Sequence, residues 1–229
     1  MLPEMIDGDE LIVVDDHSSD GSVEEIRSWN IQRATIIELD ENRGHINAFS
    51  VAASHATNNI IVFADQDDLW VAGRLEVLCR PFVGLEKPQL AYGDFAFFSD
   101  GETDVSNLGL DVPFPHFEGN SRFIWLLLSG QSRLYGCCTA INRSLLEVAL
   151  PFPESIDSHD LWLAYCAALI GVVVPNNTIV TQRRIHSNNL SRSRRKLPAI
   201  LLARTRIVIK VIWRLCHESR KRFRDSARL

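Results

Sequence analysis

Three carboxylates crowd into four residues at Asp65-Gln66-Asp67-Asp68, directly after the apolar run Ile60-Ile61-Val62-Phe63-Ala64. Carboxylates held so close repel one another, and a hard divalent cation with oxygen ligands relieves that repulsion. Magnesium or manganese bound by one or two carboxylates can also take phosphate oxygens, neutralising a departing nucleoside diphosphate. The plainer alternative is a solvated acidic turn capping a helix that starts at Val71. A second acidic turn, Asp15-Asp16-His17-Ser18-Ser19-Asp20-Gly21, follows the apolar run Leu11–Val14. Carboxylates at the carboxyl end of a parallel strand face the crevice where α/β proteins bind ligands. An Asx-rich loop is the competing explanation. The partial EF-hand spacing of this turn fails at its last ligand position, where Arg27 replaces the bidentate glutamate, and a strand rather than a helix precedes it.

Two later segments carry further candidates. In Ser158-His159-Asp160-Leu161-Trp162, Asp160 stands at a helix start and has the chemistry of a general base that takes a proton from an attacking hydroxyl, or of a simple cap. In Arg183-Arg184-Ile185-His186-Ser187-Asn188-Asn189, His186 offers an imidazole nitrogen to a metal or sits on the surface as an ordinary histidine.

These residues need elements to hold them. Leu11–Val14, Thr35–Leu39, Asn59–Ala64 and Gln89–Phe98 read as strands. Ser22-Val23-Glu24-Glu25 has capping-box spacing for a first helix, and His45–Ala56 and Val71–Phe82 suit a second and third. The β-α-β-α-β-α-β order predicts a mostly parallel sheet flanked by helices. From Asp100 to Asn120 the chain is rich in Gly, Pro, Asp and Asn without periodicity, which predicts a long binding loop. Beyond it, Arg122–Leu128 and Ser158–Ile170 read as helical. Cys137–Asn142, Val172–Val174 and Thr178–Gln182 read as extended.

A chain of 229 residues with 46% hydrophobic and 23% charged residues is ordinary for one globular domain. Five cysteines without a C-x-x-C pair fit neither a disulfide framework nor a thiolate zinc site. Met1-Leu2-Pro3-Glu4-Met5 lacks a signal-peptide pattern, so the expected location is the cytoplasm. Net charge is −5, yet residues 1–182 hold nine Lys/Arg against twenty-seven Asp/Glu, and residues 183–229 hold fifteen against two. A basic amphipathic helical tail over residues 191–229 is therefore set apart from a domain over residues 1–190. Leu197 to Cys216 carries too much charge for a membrane span. Arg206, Lys210 and Arg214 form a basic stripe beside an apolar face of Leu201, Val208, Ile209, Ile212 and Leu215. Such a helix either lies on a membrane surface, over residues 197–223, or packs on its own domain with the basic face solvated. Nucleic acid is not expected as a partner.

Taken in order, six segments resemble the family 2 glycosyltransferases of the GT-A fold, in particular their rhamnosyltransferase-type members. They are Val13–Gly21, Asn42-Arg43-Gly44, Phe63–Trp70, Gly136–Arg143, His159-Asp160-Leu161-Trp162 and Arg184–Asn189. The resemblance implies an inverting, metal-dependent transfer of a sugar, hexosyl or rhamnosyl, from a nucleotide-sugar donor to a hydroxyl of a glycan or lipid-linked acceptor in cell-surface polysaccharide synthesis, on the inner membrane face. It implies nucleotide contacts from Asp15, Asp16, Asn42, Arg43, Gly44 and Asp65. It implies Mn2+ or Mg2+ held by Asp65, Asp67 and His186, and Asp160 as the base. The family ordinarily begins with a strand and helix ahead of the Asp15-Asp16 strand, whereas here nine residues precede Glu10. The expectation is a GT-A-type sheet lacking its first strand and helix, through a shortened start or the absence of a central strand. A sugar nucleotidyltransferase would need a glycine-rich phosphate loop near the start, which is not present. A non-catalytic scaffold in a polysaccharide assembly complex is the remaining alternative, opposed by the intact acidic residues.

Overall fold

A computed structural model describes residues 4–82, 87–98, 119–132, 134–185 and 197–226. The first third alternates as expected: β1 (Leu11–Asp15), α1 (Ser22–Ser28), β2 (Ala34–Glu38), α2 (His45–His55) and β3 (Ile60–Val62). A two-residue strand β4 (Leu69–Trp70) follows the second acidic turn, then α3 (Arg74–Cys79), which is shorter than the helix predicted from Val71. β5 (Gln89–Phe98) is the long central strand. The remainder comprises α4 (Asn120–Ser129), β6 (Thr139–Asn142), α5 (Arg143–Ala149), α6 (His159–Ile170), β7 (Val172–Arg184) and α7 (Leu197–Ser226). The predicted loop from Asp100 to Asn120 falls almost wholly outside the described residues.

The α/β class with helices flanking a sheet holds, but the sheet is mixed rather than mostly parallel. β1 and β2 form a parallel pair of their own. The other five strands run in the order β3-β6-β5-β7-β4, in which only β5 and β7 are parallel. Apolar runs report that a segment is extended, not which way it points, and β6 enters between β3 and β5 against both. The two extended pieces predicted over 172–182 are one strand, with register shifts opposite Tyr92 to Phe95. Between β1 and β3 lies an apolar cavity of about 700 Å³ lined by Leu11, Ile12, Phe49, Ala53, Ile60 and Val62. Glu10 spans its upstream end by accepting the N–H groups of Thr57 (2.6 Å) and Asn58 (2.8 Å).

The core lies behind the sheet, where α6 is sandwiched. Trp162, Leu163, Tyr165, Cys166 and Ala167 pack with Leu90, Ile141, Leu145, Leu146, Phe123 and Leu127 in one buried cluster. Burial nearly all round is the sign of a central helix, and it is why α6 has no solvent face to read from its sequence. α5, a helix the sequence reading did not identify, follows β6 with no loop: the Asn142 side chain caps it by accepting the N–H of Leu145.

α7 joins that core through Ile207 and Val211, with Val208 and Leu215 against it. Its opposite side leaves Leu201, Leu202, Ile209, Ile212 and Trp213 exposed, Trp213 at 64%. The apolar face expected from the sequence is thus divided between the domain and the outside. The expected basic stripe is divided too. Arg214 turns inward, donates to the carbonyls of Val148, Leu150 and Pro151 at the end of α5, and lies over the Trp162 ring. Helix-end carbonyls lack partners in their own helix, and Arg214 supplies them here. Among the described residues no helix is long and apolar enough to cross a membrane.

Candidate active site

Each acidic turn follows the carboxyl end of a strand, the first after β1 and the second after β3. At the end of β1, Asp15 accepts the N–H of Ser18 (2.9 Å) and closes the turn on itself. Asp16 reaches across to the segment after β2: its two oxygens accept the N–H groups of Arg43 and Gly44, each at 2.7 Å. Asn42 returns a bond from its amide to the Asp16 carbonyl (3.0 Å). Asp16, Asn42, Arg43 and Gly44, singled out separately in the sequence, are therefore one hydrogen-bonded unit at the start of α2. Gly44 has φ 85°, a conformation that favours glycine. The Arg43 side chain pairs with Glu41 on the surface.

At the end of β3, Asp65 and Asp68 turn inward and meet the thiol of Cys137, one ligand atom from each lying within 4.8 Å of the others. Burial pushes the Asp65 carboxyl up to about 6, with the Asp68 charge adding to the shift and Arg183 opposing it. Asp68 accepts the N–H of Arg184 (3.0 Å), while its other oxygen is buried, has no hydrogen-bond partner among the described residues and lies 3.9 Å from the Arg183 Nε. Arg183 stacks on the Tyr135 ring at 3.8 Å. Asp67 contributes its carbonyl to Arg184 Nε (3.1 Å). His186 lies outside the described residues.

This donor set suits a hard divalent cation. Two carboxylates converge, one held away from ionisation by burial and by its neighbours, the other with a buried lone oxygen; both costs fall when a cation sits between them. The Cys137 thiol is pushed far up by its contact with Cys138, by burial and by the acidic pair, so it stands there neutral rather than as a thiolate.

Asp160 begins α6, where Ser158 is the cap. Its carboxylate accepts the N–H of Leu161 (2.7 Å), the N–H of Gly136 (3.1 Å) and the Ser158 hydroxyl. The Gly136 bond ties Asp160 to the turn Gly136–Cys138, which carries the Cys137 thiol facing the acidic pair. Burial raises the Asp160 carboxyl to about 6 against those bonds and against Arg204 and Arg183. Asp65 feels the Asp160 charge, so the two belong to one electrostatic site. Gly136 has no room for a side chain, since a Cβ would stand 2.4 Å from the His159 ring nitrogen. His159 is buried, stacked on Phe49 at 4.1 Å between ring centroids, and pushed down to about 3 by burial and by His45. It is a neutral floor beneath the site.

The fold thus brings Asp65 together with Asp160 and, in a neighbouring unit, Asp16 with residues 42–44. Cys137, Asp68 and Arg183 were not singled out in the sequence. All three lay inside segments that were, but a thiol beside an apolar strand does not show in sequence that it faces two carboxylates.

Comparison with known proteins identifies the family and the fold. Residues 5–149 match the sequence model of "Glycosyl transferase family 2". The chain is 32% identical over 68 residues, 30% of its length and 27% of the relative's, to the UDP-Glc:alpha-D-GlcNAc-diphosphoundecaprenol beta-1,3-glucosyltransferase WfgD of Escherichia coli. It is 24% identical over 192 residues to an uncharacterised glycosyltransferase of Nostoc, covering 79% of this chain and 56% of that one. The chain therefore spans roughly half or less of these relatives. Among solved structures, the mannosyltransferase PcManGT of Pyrobaculum calidifontis, in complex with GDP-Man and Mn2+, superposes with a TM-score of 0.57 at 19% identity, over 92% of this chain and 66% of that one. The UDP complex of S. aureus TarS 1–349 gives 0.57 at 17% identity, over 89% and 56%. These likenesses establish the shared GT-A glycosyltransferase fold.

Proposed function

The chain belongs to glycosyl transferase family 2, and from that premise we propose that it moves one sugar, hexosyl or rhamnosyl, from a nucleotide-sugar donor to a hydroxyl of a glycan or lipid-linked acceptor, with inversion, in cell-surface polysaccharide synthesis. One observation carries the reading: Asp160, with its raised carboxyl, is tied to the turn that also closes on Asp65 and Asp68. Asp160 takes the proton of the acceptor hydroxyl as that oxygen forms its bond to the anomeric carbon. The bond to the diphosphate breaks on the opposite face, and its electron pair leaves with the nucleoside diphosphate. A base working near pH 7 is best with a pKa close to that, and about 6 serves. Bound Mn2+ or Mg2+ would supply charge neutralisation for the leaving diphosphate. Asp65 is its shared ligand, joined by Asp68 on the geometry and by Asp67 and His186 on the family resemblance. Asp15 and the unit of Asp16, Asn42, Arg43 and Gly44 form the nucleotide wall. PcManGT with GDP-Man and Mn2+, and TarS with UDP, support a nucleotide donor. WfgD, whose name gives a diphosphoundecaprenol-linked sugar, supports a lipid-linked acceptor.

The test is a product assay with a panel of nucleotide sugars and lipid-linked acceptors, beside calorimetry of nucleotide binding with and without Mn2+. Nucleotide binding that ignores the metal, with no product, leaves the scaffold reading instead. We further propose that the protein sits in the cytoplasm against the inner membrane face through α7, whose outward Ile209, Ile212 and Trp213 lie beside exposed Arg206. Replacing the outward Ile209, Ile212 and Trp213 by serine should release it from anionic vesicles while the inward face of α7 stays in the core, and unchanged sedimentation would end that part.

A further inference from the structure

Arg74 is the most deeply buried cation among the described residues, at 1% exposure. A guanidinium is costly to remove from water, and an apolar side chain would fill the same space without that penalty. Its hydrogen-bond partners are all neutral. One nitrogen donates to the carbonyl of Phe63 (2.6 Å), another to the Thr181 hydroxyl, and the plane stands over the Trp70 ring at 4.4 Å. Thr181 in turn donates to the carbonyl of Cys137 (3.0 Å).

Each partner leads directly into the site. Phe63 follows β3 directly and precedes Ala64 and Asp65, and Trp70 is in β4, two residues after Asp68. Cys137 is the residue after Gly136, whose N–H holds Asp160. Arg74 thus joins the residue after β3, β4 and β7 directly, and the Gly136–Cys138 turn through Thr181. We propose that Arg74 is a positioning residue: its guanidinium fixes the strand end that launches the acidic turn to the turn that holds Asp160, and so sets the separation of the two reacting halves. A single cation can do this because its planar fork donates in two directions at once, which neither lysine nor a neutral amide matches. The consequence for catalysis rests on the sugar-transfer reading above; the consequence for local order does not.

The experiment therefore has two parts. Amide hydrogen exchange is measured on wild type, Arg74→Met, Arg74→Lys and Thr181→Val. In Arg74→Met, peptides covering residues 63–68 and 136–139 should lose protection while those covering 89–98 keep theirs. Thr181→Val should loosen 136–139 and spare 63–68, and Arg74→Lys should restore one segment better than the other. Alongside, Mn2+ affinity of the folded protein is titrated and steady-state transfer measured. Arg74→Met should weaken Mn2+ by about ten-fold and lower kcat by roughly 100-fold with little change in donor KM. Thr181→Val should lower kcat while leaving Mn2+ affinity at the wild-type value. Uniform loss of protection across all segments, or unchanged protection at 63–68 and 136–139, overturns the proposal. If wild type neither binds Mn2+ nor transfers sugar, it is the transferase reading that fails, and the exchange data still decide the role of Arg74.

Discussion

Asp16 and Asp160 are the same side chain put to opposite uses. At the end of β1, Asp16 spends both oxygens on the backbone N–H groups of Arg43 and Gly44, each at 2.7 Å. At the head of α6, Asp160 also accepts N–H groups, yet burial outweighs them and lifts its carboxyl to about 6. Asp65 follows the second pattern. A carboxylate that ties two backbone segments together makes a rigid wall, whereas one whose ionisation is opposed by burial keeps a reason to take a proton or a cation.

The largest effect that would break this contrast is at Asp160. Asp160→Asn should lower kcat by roughly 10²–10⁴-fold, the span of a general base, with nucleotide binding by calorimetry unchanged. Normal turnover in that variant would remove Asp160 as the base. Next comes Asp65→Asn, expected to weaken Mn2+ by about 10–100-fold in a direct titration. Wild-type affinity there would put the metal elsewhere. Asp68→Asn should also lower thermal stability, because it removes the charge facing Arg183 while its amide oxygen can still accept the N–H of Arg184.

A smaller effect belongs to the wall. Asp16→Ala leaves two backbone N–H groups without their acceptor, a loss of about 1–3 kcal/mol. The expected kinetic result is a raised donor KM with kcat nearly intact, the signature of binding shared by ground and transition states. A collapse of kcat instead would place Asp16 in the chemistry and erase the contrast with Asp160.

Both patterns could be found from the sequence as acidic turns after apolar runs, but not told apart there. Their difference comes from burial, which an acidic turn does not report in sequence: it lifts the Asp160 carboxyl against the bond from distant Gly136. The D-x-D spacing points to Asp65 and Asp67, while the turn geometry brings Asp65 and Asp68 to one point with Cys137. Strand positions were legible because apolar runs mark burial, and strand direction was not. α7 shows the same limit: apolar residues lie on two faces, and only its packing on α4 and α6 separates Ile207 and Val211 from Ile209 and Trp213. Arg74 was invisible, since a lone arginine at a helix start looks like any exposed one until its partners are seen.

The smallest effect is on stability, and its sign runs against activity. In the unfolded chain Asp65 and Asp160 titrate near 4, but in the folded chain each keeps its proton up to about 6. Between these values the folded state binds more protons, so their contribution to stability is full below about pH 4 and is lost as pH rises through about 6. Two units correspond to roughly 3 kcal/mol per group at most, less for a pair that repels and is partly reached by water. Lowered carboxyls such as Glu10 act in the opposite direction, so the raw pH curve of wild type mixes both. The difference between wild type and Asp160→Asn cancels the mixture. Relative to wild type the variant should gain stability as pH rises from 4 to 7, by a few degrees in Tm, on top of a pH-independent offset from the N–H acceptor it loses. A gap that stays constant with pH would mean that the Asp160 carboxylate carries no unrelieved charge in the folded protein, and with it would go the reason for calling that end of the site reactive.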